Sequence, residues 1–134
     1  MTINIQNSQT LLYIQQQFTA AFPFLKIEFF QRPHTSGTGS SRKYLIPLKT
    51  LVSAVRKKTS NEDIVIEPGM TVARLEQLFQ NELGLNIQVF RRSGNLWLET
   101  TATDNWTLAY QNEQGKNIDD DLQQDEKPDY HEQE

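Results

Sequence analysis

Apolar and polar residues alternate with period two in four short stretches: TINIQ at 2–6, LKIEFF at 25–30, DIVIE at 63–67 and LNIQVF at 85–90. That period belongs to strands with one buried face. Between them the period changes to that of a helix. Leu11, Ile14, Phe18, Ala21 and Phe22 form one apolar stripe, and Val72, Leu75, Leu78, Phe79 and Leu83 form another. Asn7 or Ser8 is placed to cap the first helix, and Thr71 to cap the second. Pro23 ends the first by lacking a donor, whereas Gly84 suits a left-handed stop for the second.

The two halves resemble each other in detail. At a shift of 61, Ile3, Ile5, Thr10, Gln16 and Phe18 fall on Ile64, Ile66, Thr71, Gln77 and Phe79. At a shift of 60, Leu25, Ile27, Phe30 and Arg32 fall on Leu85, Ile87, Phe90 and Arg92. Thr50-Leu51 then meets Thr107-Leu108 at a shift of 57. Ordered identities at such a period mark a duplicated supersecondary unit. Each copy continues with a partner strand, KYLIP or LWLET, and a closing helix, LKTLVSAVRKK or NWTLAYQNEQ. Ser93-Gly94-Asn95 makes a tight turn in copy two, whereas copy one has the long connection PHTSGTGSSR. Asp104 is the expected cap and Gly115 the expected stop of the last helix. The expectation is an α+β protein, β-α-β-β-α twice, with copy one at 2–60 and copy two at 63–117. Units so small bury too little to stand alone, so the copies form one pseudo-symmetric domain over 1–117.

Within the repeated strand, Leu25, Ile27 and Phe29 share a face, as do Leu85, Ile87 and Val89, and these are core. The opposite face carries Phe30 and Arg32 in copy one, and Phe90 and Arg92 in copy two. Two arrangements satisfy this Phe-x-Arg pattern. In one, the phenylalanines lie beneath the last helix of their own copy. In the other, an open sheet face presents an aromatic and a guanidinium twice, with Trp97 nearby, as interfaces and base-stacking surfaces do.

Charge divides the chain. The net charge is −4, yet Asp119–Glu134 holds eight acids against Lys127, leaving +3 on the rest. The segment 118–134 reads as a disordered acidic tail. Positions 29–61 contain no acid. Arg42, Lys43, Lys49, Arg56, Lys57 and Lys58 form a candidate basic, anion-binding patch that the tail is placed to cover.

Chemistry is sparse. No cysteine is present and the histidines, His34 and His131, are far apart, so thiolate, transition-metal and Ser/His/Asp arrangements have no residues to draw on. HTSGTGSSRK at 34–43 lacks phosphate-loop spacing and reads as a hairpin loop. The carboxylates and threonines of ETTATDNW at 99–106 are explained by a strand end and a helix cap. No catalytic, cofactor or metal residues are nominated. Neither a signal peptide nor a membrane-spanning run is visible, which gives a cytoplasmic expectation.

The segments TVARLEQLFQNELGLNIQVFRRSGNLWLETTATDNWTL and LLYIQQQFTAAFPFLKIEFF resemble small bacterial proteins of unassigned function that carry this duplicated unit. The resemblance spans roughly residues 2–117. It implies a free-standing bacterial protein and carries no activity or cofactor with it. The expectation is therefore a non-enzymatic interaction module that binds a protein partner through the outer sheet face or a basic edge. The alternative is a nucleic-acid-binding protein using the same surface.

Overall fold

A computed structural model describes residues 1–33, 39, 41–56 and 62–126. The elements run β1 (Thr2–Ile5), α1 (Leu11–Ala21), β2 (Leu25–Phe30), a 3-10 turn (Arg42–Tyr44), α2 (Val52–Val55) and β3 (Glu62–Val65) in order. They continue with α3 (Val72–Leu78), a π-helical turn (Phe79–Leu83), β4 (Asn86–Ser93), β5 (Leu96–Glu99), a second 3-10 turn (Thr101–Thr103) and α4 (Leu108–Glu126). Two antiparallel sheets result, β1-β3 and β2-β4-β5.

The first sheet takes one strand from each copy, and the second takes β2 from copy one and β4 and β5 from copy two. β1 pairs with β3 so that Ile3 faces Ile64, its own repeat equivalent at the shift of 61. β2 pairs with β4 so that Glu28 faces Gln88, its equivalent at the shift of 60. A strand position opposite its own equivalent lies on a local twofold, so each sheet carries a pseudo-dyad at that pair. Ile3, Ile5, Ile64 and Ile66 from the first sheet meet Leu25, Ile27, Phe29, Ile87 and Val89 from the second in a single core. The stripes of α1 and α3 complete it. Phe18 and Phe79, fully buried, are its symmetry-related anchors. Each large apolar side chain so buried contributes roughly 1.5–3 kcal/mol.

Four backbone hydrogen bonds repeat between the copies. Leu11 and Leu12 donate to Thr50 and Leu48 at 2.9 Å each, as Val72 and Ala73 donate to Trp106 and Asp104 at 3.1 and 2.8 Å. Val52 and Ser53 donate to Gln9 and Asn7 at 2.8 and 3.2 Å, as Leu108 and Ala109 donate to Met70 and Pro68 at 2.8 and 3.0 Å. The equivalence is therefore Val52 with Leu108 and Thr50 with Trp106, a shift of 56. The Thr50-Leu51 match read from sequence is one residue out of register.

Several local expectations change. Among the described residues copy one has no partner strand after β2. KYLIP forms a 3-10 turn and a single bridge from Leu45 to Phe30. Gln31 N–H to Tyr44 O and Ile46 N–H to Phe29 O join it to β2, both at 2.8 Å. Pro47 has no donor to continue the ladder. The helix expected over LKTLVSAVRKK shrinks to the single turn of α2, where β-branched Val52 and Val55 favour helix weakly. Thr10, not Asn7 or Ser8, precedes α1, and its side chain makes no cap bond. Thr71 does cap α3, its Oγ1 accepting from Arg74 N–H at 3.1 Å. Gly84 takes φ 67° after the π-helical turn, as expected of a left-handed stop. At the start of α4, Thr107 Oγ1 accepts from Tyr110 N–H at 3.1 Å, the role expected of Asp104.

Gly115 does not stop α4; it lies buried inside it. A Cβ there would stand 2.8 Å from Phe24 Cβ, so glycine is what lets the helix approach the sheet. Consequently the helix continues to Glu126, and 118–126 is not the disordered tail read from composition. Residues 127–134 lie outside the described residues.

Candidate functional site

The face assignment of β2 and β4 holds: Leu25, Ile27, Phe29, Leu85, Ile87 and Val89 are all buried in the core. The other face is not open. Phe30 is 3% exposed and Phe90 is 8% exposed, which removes both from the candidate binding surface. Phe30 shares a cavity of about 300 Å³ with Ile46, Ala54 and Val55, so chain around α2 covers it. Phe90 is not covered by α4, which lies on the opposite face. There Arg91 donates from Nη1 to Gln111 Oε1 at 2.8 Å and lies over the Trp106 ring. Instead the Lys26 ammonium stands 5.6 Å from the Phe90 ring centroid. The backbone at Gly39 passes against the Glu99 carboxylate on this same outer face.

Trp97 remains available. Its indole is held by Lys26, 4.9 Å from the ring centroid, and Lys26 is itself paired with Glu28 at 3.1 Å. Arg92 is exposed and donates from Nε to the Gly94 carbonyl at 3.0 Å, bracing the hairpin turn. Gly94, with φ 63°, and Asn95 connect Ser93 to Leu96. Strand β5 is short, lies at the edge of its sheet, and is exposed at all four residues. Leu96, Trp97 and Leu98 are 65%, 36% and 42% exposed.

Among the described residues no strand pairs with the outer side of β5, and that side has a definite polarity. Thr100 N–H donates to Val89 O, and Arg92 N–H donates to Phe24 O. Odd residues of β4 therefore bond toward β5 and even ones toward β2. Leu96 and Leu98, opposite Ser93 and Arg91, make the inter-strand bonds, and the N–H and C=O of Trp97 point outward. Leu-Trp-Leu-Glu carries neither proline nor lysine; its four-residue length and Glu99 are its only guards against edge pairing. Where β5 ends, by contrast, Glu76 Oε2 accepts from Val89 N–H at 3.4 Å and closes the edge of β4.

The basic patch is dispersed. The Arg32 guanidinium lies 4.3 Å from the Tyr44 ring centroid and the Lys43 ammonium 5.1 Å from it. Arg42, Lys43 and Lys49 are exposed, whereas Arg56 is 4% exposed and does not contribute to a surface. Lys57, Lys58 and His34 lie outside the described residues. The helical part of the acidic segment does not cover this cluster. A Cβ on Gly94 would stand 2.8 Å from Leu122 Cδ1, which places Leu122 at the hairpin tip. Tyr44 lies beside the other end of β4, roughly 20–25 Å away at strand rise.

The remaining chemistry has structural uses. Thr100 Oγ1 donates to Val89 O at 3.0 Å, and Thr103 Oγ1 accepts from Gln111 Nε2 at 2.8 Å. Glu76 and Asp104 line a polar cleft of about 200 Å³ with Gln77, Gln80 and Asn86. Among the described residues no group of three or more His, Cys, Asp or Glu is placed to hold a metal, and no helix is long and apolar enough to cross a membrane.

Trp97 was legible as a candidate. Leu96, Leu98 and Leu122 were missed. The signal for the first two was the loss of alternation in Leu-Trp-Leu, which gives a strand apolar on both faces. Comparison with protein-family models, with curated proteins and with solved structures returns no match.

Proposed function

We propose that this protein is a non-enzymatic interaction module that takes an extended segment of a protein partner against the outer edge of β5. The observation that carries this reading is an exposed edge strand, apolar on both faces, with the peptide groups of Trp97 directed outward. Strand addition draws affinity from such backbone groups and specificity from alternate side chains. The Lys26-held indole supplies an ordered aromatic anchor of the kind that dominates interfaces.

A second reading is favoured by one cluster. Arg32 and Lys43 lie over the Tyr44 ring on an acid-free segment that also carries the exposed Arg42, an arrangement suited to nucleic-acid backbone. Its affinity would fall steeply with salt because phosphate contacts release counterions. Capture from cell lysate with the full chain, with and without nuclease, separates the two readings. A protein retained after nuclease by the wild type, and lost with Trp97→Pro, supports strand addition. Retained nucleic acid that is lost with Arg32→Ala and Lys43→Ala overturns it.

A further inference from the structure

Resting on that reading, we infer that the extended segment β5 takes is β5 of a second copy of this chain, the two strands pairing antiparallel about a twofold axis at Trp97. Leu96 and Leu98 direct their peptide groups to β4, so the N–H and C=O that the middle of β5 turns outward are those of Trp97. With the axis there, Trp97 faces its own counterpart as a hydrogen-bonded pair. Each N–H donates to the other C=O, across a Cα separation of about 5.5 Å. Leu96 then faces Leu98 of the second copy, and Leu98 faces its Leu96. Both leucines, 65% and 42% exposed in the single chain, meet leucine on one face and leave water together. On the other face the two indoles stand side by side. The product is one sheet of six strands, three from each copy.

Register and charge select this occupant. The only charged residue of β5 is Glu99. With the axis at Trp97 the two Glu99 residues lie four positions apart along the strands, about 13 Å at strand rise. That exceeds the screening length of about 8–10 Å, and each Glu99 position faces Asn95 instead. An axis at Leu98 would halve the distance and set Trp97 against Glu99. An axis at Leu96 would set Leu98 against Gly94, outside the strand. Lys26, which holds each indole, is paired with Glu28 at 3.1 Å, so no net charge gathers beside the axis. The pairing uses Leu96, Trp97 and Leu98 and asks nothing of the Glu99 carboxylate. So short a contact is small against the roughly 800 Å² per partner of a stable complex. The dimer is therefore reversible and depends on concentration.

The test is sedimentation velocity of the full chain over a series from roughly micromolar to millimolar. The mass is expected to rise from monomer to dimer. Trp97→Pro removes the outward N–H without touching the ladder to β4, and Leu98→Lys puts a charge on the edge. Each is expected to raise the concentration needed for dimer roughly tenfold or more. Circular dichroism checks both folds, and a linking experiment reads the register without either variant. The chain has no cysteine, and a 5.5 Å Cα separation suits a disulfide. Under mild oxidation Trp97→Cys is expected to give linked dimer at least about tenfold faster than Val65→Cys, an exposed strand position on the other sheet. Equal linking at the two positions, or a dimer that persists in both edge variants, overturns the inference. So does a wild type that stays monomeric throughout. Strand addition then stands if lysate capture retains a protein that Trp97→Pro loses, and it falls as well if nothing is retained.

Discussion

The two copies share a core and diverge immediately after their central strands. In copy two, Gly94 and Asn95 return the chain at once, and β5 pairs with β4 over four residues. In copy one the chain leaves β2 at Gln31 and, among the described residues, rejoins it at Tyr44, Leu45 and Ile46 around a single bridge. A short turn holds a strand in register at little entropic cost, whereas closing a longer loop for one bridge gains little. The same duplicated scaffold thus carries a closed edge on one side and an extended apolar edge on the other. The difference lies in connection length and in Pro47, while the core residues are conserved between the copies.

The largest effects should test the equivalence itself. Phe18→Ala and Phe79→Ala are each expected to cost about 3–5 kcal/mol in chemical denaturation, because both leave a cavity in the shared core. A loss confined to one of them would break the symmetry argument. Next, Gly115→Val should cost about 1–3 kcal/mol through overpacking against Phe24, with a change in Trp106 fluorescence as α4 lifts. The helix starts sharpen the contrast between copies. Thr71→Ala should cost about 1 kcal/mol, since a cap bond is lost. Thr10→Ala, which loses none, should fall within about 0.5 kcal/mol of wild type. Smallest of all, Lys116 titrates above its ordinary value of 10.5 because Asp120 accepts a hydrogen bond from its ammonium. Its folded value is raised, so its contribution is present below the unfolded value and is lost as pH rises through the folded one. NMR titration of the Lys116 side chain in wild type and Asp120→Asn should show the value fall back.

The strand faces and the Gly84 stop were legible because they rest on local period and local backbone chemistry. The short-range identities fixed the shifts of 61 and 60 that the sheet registers then reproduced. What failed depended on tertiary context. Gly115 looks like a helix stop until Phe24 is known to lie against it. Phe30 and Phe90 fall on the polar face by period, but packing that sequence spacing does not reveal covers them. Asp119 to Glu126 looks unstructured by composition, yet one residue, Leu122, gives it a landing place on the hairpin. The α+β class was therefore readable, whereas the candidate site was readable only at Trp97.

The pseudo-dyads at Ile3/Ile64 and Glu28/Gln88 bear on how the chain can be made. Every strand pair across them joins residues roughly 60 apart, so neither half holds a finished sheet and folding must wait for long-range closure. Copy two expressed alone would carry two unfilled strand positions, and another copy of itself is the natural filler. Halves expressed as separate polypeptides should reassemble on mixing, which would make the molecule a usable split reporter.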